Sequence, residues 1–472
     1  MNILVYIHLN IIIKEGNDKM NDKKTNKNQL VLIGIGIIIL VVFVSCFVIA
    51  LKNHKSTTTS TNSNSDSASD ISNKYNSINY GSTTELSSTT ITSGGSYDLT
   101  GSYSCIVVNT NASVQLNLTD ANISCDNGPA IYVENADNVS IVLNGTNKIS
   151  STTTKDLDGA IYSKDDLIFS GTGSLEITSN YDGIVSKDTL VINSGTYTIN
   201  ASDDGIRGKD NVAIVDGTFN ITASGDGIKS TDEEDTTKGY VAIDNGTFNI
   251  TSVNDGIQAE TEVNIKDGNF TIKTTGNTSS DSAKGIKAGT LVEINGGTYN
   301  INSTDDSIHS NGNIAINKGK ITITSKDDGI HADGLVEIND GTLNIIASEG
   351  IEGTYVKING GTISISASDD GINAGNKSTA YSVTIEINGG DITIKMGQGD
   401  TDGIDSNGNL YINGGTINIT ANSPFDYDGE AKYNGGTIIV NGEETNTITN
   451  QMMGGGPGGQ GEQPGMNRRG RY

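Results

Sequence analysis

The chain has 472 residues, 59 of them Gly and only 4 Pro, no Trp, and a formal net charge of −26. That charge argues against nucleic acid, whose binding needs basic surface to displace counterions, and fits cation binding or high solubility outside the cell. Length alone allows two or three domains, but internal repetition overrides that prior, and abundant Asn, Thr, Ser and Ile suit many short strands joined by tight turns.

In chain order, residues 1–29 read as a cytoplasmic N-terminal segment, in which Met20 begins a more typical N-terminus than Met1. Leu30 to Leu51 is an uncharged, mostly apolar run long enough to span a bilayer as a helix. Lys23, Lys24 and Lys27 precede it and outnumber Lys52 and Lys55 just beyond it, which favours an inside N-terminus and an exported body. Phe43-Val44-Ser45-Cys46 also reads as a lipoprotein cleavage site, but apolar sequence continues through Leu51, so an uncleaved anchor is preferred. Residues 52–80, rich in Ser, Thr and Asn without apolar periodicity, read as a flexible linker. Residues 449–472 read as a Gly- and Pro-rich disordered tail ending in Arg468-Arg469-Gly470-Arg471.

Between them, residues 81–448 repeat a phrase of acidic residue, Gly and Ile. It is clearest at Asp203-Asp204-Gly205-Ile206, Gly225-Asp226-Gly227-Ile228, Asn254-Asp255-Gly256-Ile257, Asp327-Asp328-Gly329-Ile330 and Asp369-Asp370-Gly371-Ile372. Weaker copies stand at Asp182, at Asp305-Asp306-Ser307-Ile308, at Glu349 and at Asp402, and insertions stretch some steps beyond the 22 residues that separate Asp182, Asp204 and Asp226. A period of this size means stacked coils. Within each repeat apolar residues alternate on both sides of an Asn-Gly-Gly or Asp-Gly turn, as in the columns Ile192–Ile214–Ile243 and Tyr197–Phe219–Phe248, and the Ile of the phrase begins a third strand. No repeat holds enough helical periodicity for a helical solenoid. The spacing therefore predicts an all-β, right-handed parallel β-helix of about 22 residues per coil, with coils about 4.8 Å apart. A run of Asn193, Asn295, Asn317, Asn339, Asn359, Asn388 and Asn413 falls at one corner, where stacked amides can hydrogen-bond along the axis. Cys105 and Cys125, about one coil apart, fit either a disulfide or two free buried thiols.

Asp-Gly is an ordinary turn former, and at a single site the acids would need no further explanation. Recurrence at one corner changes that, because like charges about 5 Å apart repel by about 0.8 kcal/mol even in water. A hard cation with six to eight oxygen ligands relieves the repulsion, and Ca²⁺ is the extracellular default. The candidate ligands are Asp203 and Asp204 with Asp226, Asp305 and Asp306 with Asp327 and Asp328, and Asp369 and Asp370 with Glu349. The residue after each Ile should project outward as a second ladder, basic at Arg207, Lys229 and Lys287, imidazole at His309 and His331, and acidic towards Glu352 and Asp405. Its basic and imidazole members are candidates for holding the carboxylates of an acidic sugar, with Ca²⁺ bridging. Arg207, Lys229 or Lys287 would also serve as the base of a Ca²⁺-dependent polyuronate lyase. Surface Lys and Arg look no different in sequence, so binding without catalysis is the preferred reading. A structural surface adhesin is a further alternative.

The ordered phrases from Asp203 to Asp210, Gly225 to Thr231, Ser282 to Ala288, Asp305 to Gly312, Asp327 to Gly334, Glu349 to Gly353 and Asp369 to Ala374 resemble a family of prokaryotic cell-surface carbohydrate-binding β-helix proteins over about residues 85–440. The resemblance implies a fold like that of polysaccharide lyases, binding of cellulose and acidic sugars, and bound Ca²⁺. The expected partner is a polysaccharide, with the membrane contacted through the N-terminal helix, no nucleic acid, and a monomeric state. Lack of Trp removes the commonest sugar-stacking platform, leaving Tyr162, Tyr240 or Tyr381 as substitutes.

Overall fold

The computed structural model describes residues 65–277, 282–397 and 401–450. The expected membrane span at 30–51 and nearly all of the 449–472 tail lie outside the described residues, among which no helix is long and apolar enough to cross a membrane.

The described chain is all-β, one parallel-dominated sheet of 43 strands with a single short helix, Ala68–Asn73. From Gly159 to Val440 each strand pairs in parallel with its counterpart in the neighbouring repeat, so every coil contributes strands to three faces, consistent with the expected β-helix; the final strand Glu443–Thr445 folds back antiparallel on Thr437–Val440. Face A holds the Gly-Ile strands, such as Ile206–Gly208, face B those such as Asn211–Ile214, and face C those such as Thr218–Ala223. Two face A and face B strands fuse, at Ile330–Ile338 and Ile351–Ile358.

The apolar columns stack in the register read from sequence. Face A aligns Ile206, Ile228, Ile257, Ile286, Ile308, Ile330, Ile351, Ile372 and Ile404. Face C aligns Tyr197, Phe219, Phe248, Phe270 and Tyr299, whose rings stack nearly parallel at 4.6–5.0 Å. These columns make one continuous interior core. At the corner between faces B and C the Asn ladder forms, each amide Nδ2 donating to the Oδ1 of the preceding coil from Asn317→Asn295 at 2.8 Å to Asn434→Asn413 at 2.7 Å.

Close approach explains the Gly of the phrase. A Cβ on Gly205 would lie 2.5 Å from both the Gly227 carbonyl and Ile221 Cγ2, so any side chain there would push adjacent coils apart. Cys105 and Cys125 form a disulfide with Cα atoms 4.9 Å apart, tying the first coils together.

Part of the segment read as a flexible linker is ordered. The helix Ala68–Asn73 is capped by Ser67, which accepts from Asp70 N–H. It buries Ala68 and Ile71 against Ile168, Val191, Ala213 and Ala242, which point outward from face B. Polar contacts tack the segment down: Ser69 N–H donates to Asp244 at 3.1 Å, Tyr75 Oη to Asp166 at 2.8 Å and Tyr80 Oη to Asn138 at 3.1 Å. The sequence signal is weak because the helix is one turn and a half long, and its apolar partners are small residues on an outward face. Ile71→Asp is expected to release this strap, seen as new protease cleavage between residues 65 and 80 while the melting temperature of the coils changes little; continued protection would contradict the docking.

Candidate functional site: the acidic corner

The corner between faces C and A carries the acids. Of those immediately before Gly or Ser, Asp182, Asp204, Asp226, Asp255, Asp306 and Asp328 point inward and are each 1–7 % exposed, while Glu349, Asp370 and Asp402 are half-buried. The outer members of the pairs, Asp203, Asp327 and Asp369, face solvent, and Asp305 is half-buried. Covered carboxylates persist only if their lone pairs are used. Here one carboxylate oxygen accepts a backbone N–H from the next coil at most of these positions: Asp182 from Asp204 at 2.9 Å, Asp204 from Asp226 at 2.8 Å, Asp226 from Asp255 at 2.8 Å, Asp306 from Asp328 at 3.2 Å and Asp370 from Asp402 at 3.2 Å. The inner acids therefore splice the backbone of successive coils at the corner.

The other oxygen faces the residue after Ile. The two ladders expected from sequence are both present and in register, Arg207 beside Lys229 and His309 beside His331. They differ from expectation in what they touch. Arg207 does not project to solvent but folds back: its Nε donates to Asp182 at 2.7 Å, Nη2 meets Asp158 at 2.6 Å, and Asp204 lies 3.7 Å away. Lys229 pairs with Asp226 at 2.6 Å and Lys287 with Asp255 at 3.6 Å. His309 Nδ1 lies 2.8 Å from Asp306 and its Nε2 2.9 Å from Asn311, while His331 sits between Asp306, Asp328 and Glu352 at 3.2–3.5 Å. The imidazoles meet edge to face with centroids 5.0 Å apart. Burying a flexible cation against buried carboxylates is favourable here because Asp182, Asp204, Asp226, Asp255 and Asp306 are already hydrogen-bonded on their other side. A base for β-elimination drawn from Arg207, Lys229 or Lys287 would have to leave these partners.

Several members of the site escaped the sequence reading. Lys284 occupies the inner-acid slot of its own repeat, visible in Lys284-Gly285-Ile286; its N–H donates to Asp255 at 2.8 Å, and its ammonium pairs with Asp305 and lies 3.5 Å from Asp306. Asp158 and Lys377, the latter 2.9 Å from Glu352, come from irregular stretches with no repeat phrase to mark them. Tyr162 and Tyr240 are buried, so neither is an open stacking platform. Tyr162 lies beneath Lys187, and Tyr240 packs beside the helix Ala68–Asn73.

Charge balance changes along the axis. Burial pushes the Asp182 carboxyl up to about 7 against the pull of Arg207, and Asp204 up to about 6. Burial also disfavours the Asp306 anion, but hydrogen bonds from His309 and His331 outweigh it and hold that carboxyl far below its usual range. Beyond His331 the cations thin out. Burial followed by the charges of Glu352 and Asp328 pushes Glu349 up to about 8, and burial with Asp370, Asp402, Asp426 and Asp428 pushes Asp405 up to about 7.

Among the described residues, two all-carboxylate sets place an oxygen from each member within 4.8 Å of the others: Asp182 with Asp203 and Asp204, and Asp305 with Asp306 and Asp327. Oxygen-only sets fit a hard cation such as Ca²⁺. Asp306 with His309 and His331, and Asp328 with His331 and Glu352, mix imidazole into equally tight groups, chemistry that suits softer ions. Asp226, paired with Lys229, joins no such set, and the expected grouping of Asp369, Asp370 and Glu349 is not among those this tight.

The carbohydrate-binding domain-containing protein family profile matches residues 85–329 and 325–453, a span that includes every coil of the acidic corner. The chain belongs to this family. Among solved structures, the polysaccharide lyase-like protein from C. thermocellum, in a gadolinium derivative, is 28% identical, with the match covering 45% of this chain and 86% of that chain at a TM-score of 0.39. No curated protein matches.

Proposed function

We propose that this is a membrane-anchored, extracellular protein that binds polysaccharide, with Ca²⁺ taken up at the acidic corner and bridging to the carboxylates of an acidic sugar chain. Family membership supports the carbohydrate class. The observation that carries the calcium reading is the pair of all-carboxylate sets, Asp182/Asp203/Asp204 and Asp305/Asp306/Asp327. Arg207 in the first set, and Lys284 with His309 and His331 in the second, offset the inner carboxylates, but each set keeps a further carboxylate turned to solvent, Asp203 and Asp327. Those outer carboxylates would hold the ion on the side open to a glycan. Asp226, Asp328, Asp369, Asp370 and Glu349 belong to the same corner and would contribute through its charge. The coil is read as right-handed, the hand of nearly all parallel crossovers, and Leu30–Leu51 as its anchor.

The expected result is a melting temperature several degrees higher in millimolar CaCl₂ than in chelator, together with retention of the protein by polygalacturonate in affinity electrophoresis that chelator abolishes. Identical melting and retention in the two conditions would overturn the calcium reading.

A further inference from the structure

The two imidazoles of the outward ladder form a group of different chemistry from the all-carboxylate sets. Two consecutive coils spell the same pattern, Asp306-Ser307-Ile308-His309 and Asp328-Gly329-Ile330-His331, and the strand register lays His309 against His331. The side chains of Asp306, His309 and His331 are only 5, 11 and 15 % exposed.

All four ring nitrogens face oxygen. His309 Nδ1 lies 2.8 Å from Asp306 Oδ2 and its Nε2 2.9 Å from Asn311 Oδ1. His331 Nδ1 lies 3.5 Å from the same Asp306 oxygen and 3.2 Å from Asp328 Oδ2, while its Nε2 is 3.3 Å from Glu352 Oε2. A neutral imidazole carries one N–H and one lone pair. Two neutral rings therefore set two lone pairs against oxygens unless positive charge lies between them. The neighbouring ammonium groups are engaged elsewhere, Lys284 with Asp305 and Lys377 with Glu352. Protonating both rings would supply the charge in the metal-free protein. It would also place two imidazolium groups 5.0 Å apart and leave His331 Nε2 buried without a hydrogen bond. One divalent ion brings the same charge to a single point.

The spacing suits such an ion. Asp306, His309 and His331 each present a ligand atom within 4.8 Å of the other two. The two Nδ1 atoms stand 2.8 and 3.5 Å from Asp306 Oδ2. Those separations bracket the edge of roughly 3.3 Å in a tetrahedron with metal–ligand bonds of about 2.0–2.1 Å. Asp328 Oδ2, beside His331 Nδ1, is placed to approach the fourth position. Asn311 Oδ1 accepts the outer N–H of His309, the kind of contact that fixes the tautomer of a ligating imidazole.

We propose that Asp306, His309 and His331 bind one borderline-soft divalent ion of the Zn²⁺ class, which clips two neighbouring coils together. Imidazole nitrogen selects against Ca²⁺, whose ligands are oxygens. Asp306 also belongs to the Asp305/Asp306/Asp327 set, so occupancy here leaves Ca²⁺ the Asp182/Asp203/Asp204 set. The inference stands independently of the carbohydrate reading.

The test starts from full-length protein stripped with chelator and exchanged into millimolar CaCl₂, then titrated with ZnCl₂. About one equivalent of Zn²⁺ is expected to bind and to raise the melting temperature by several degrees. Co²⁺ in its place is expected to show the intense visible absorption of a four-coordinate ion. His309→Gln and His331→Gln are each expected to weaken Zn²⁺ binding at least tenfold and to lose the Co²⁺ signal. Should either variant fail to fold, the wild-type Co²⁺ spectrum decides the matter. A pale six-coordinate Co²⁺ spectrum, unchanged Zn²⁺ binding in both variants, or no stabilisation by Zn²⁺ would overturn the proposal. Displacement of Zn²⁺ by millimolar CaCl₂ would overturn it too, by assigning the ion to the all-carboxylate sets.

Discussion

Phe248→Ala is expected to lower the unfolding free energy by about 3–5 kcal/mol. The ring is fully buried, with Phe219 4.8 Å away on one side and Phe270 4.6 Å away on the other, both nearly parallel to it. Removing it loses the transfer free energy of an aromatic side chain and two ring contacts, each worth about 0.5–1.5 kcal/mol. Adjacent coils are tied by strand ladders and cannot close the gap, so the cavity term is paid in full. Solenoid contacts run only between neighbours, which places the damage at the centre of the aromatic stack and makes the coils on either side less cooperative. Phe248→Leu, which keeps most of the volume, is expected to cost about 1–2 kcal/mol, and Ile346→Ala on the exposed side of face C close to nothing. Chemical denaturation of the three variants checks the order; a Phe248→Ala cost no larger than that of Ile346→Ala would mean the stack contributes little to stability.

The fold was legible because a coil repeats its own errors and successes. A single Ile after Asp-Gly says little, but a phrase that recurs with small variations and occasional insertions leaves one arrangement, and the pairing of Ile206 through Ile404 follows it. The Asn corner was legible for the same reason. The acidic corner was legible in position and not in wiring. Sequence placed Arg207 and Asp204 one strand-start apart, but which way a long side chain turns depends on burial, and a guanidinium beside three carboxylates, two of them covered, turns inward. The backbone N–H groups accepted by the inner acids were invisible too, since an aspartate that splices coils and one that caps a turn share the same Asp-Gly spelling. The helix Ala68–Asn73 was lost because its stability comes from tertiary contact with face B rather than from its own pattern.

Without divalent metal, the protein is expected to become less stable as pH rises from about 5 to 9, with a fall in melting temperature on the order of 5 °C. Most proteins lose stability on the acid side because their carboxylates are paired in the native state. Here burial and like charge act the other way: Glu349 is pushed up to about 8, Asp405 to about 7 and Asp370 to about 6. A folded-state value above the unfolded one means that the native state keeps protons the unfolded chain has already released. Stability then declines as pH climbs from the ordinary carboxylate range through these raised values. His331 adds to the same slope at higher pH. Burial opposes its charge, but hydrogen bonds to Asp306 and Asp328 prevail and raise it to about 10, so its contribution is complete below about 6.5 and lost on the way to 10. Asp306, held low by the same imidazoles, contributes stability above the ordinary carboxylate range and loses it only in stronger acid. Added Ca²⁺ competes with protons for the carboxylates, so its stabilisation should be large at pH 8 and small at pH 5. Glu349→Gln removes one titrating group and should flatten the slope measured in chelator. A melting temperature that holds or rises from pH 5 to 9 in chelator would show that the C-terminal acids of the corner are already balanced, and the demand for a metal there would go with it.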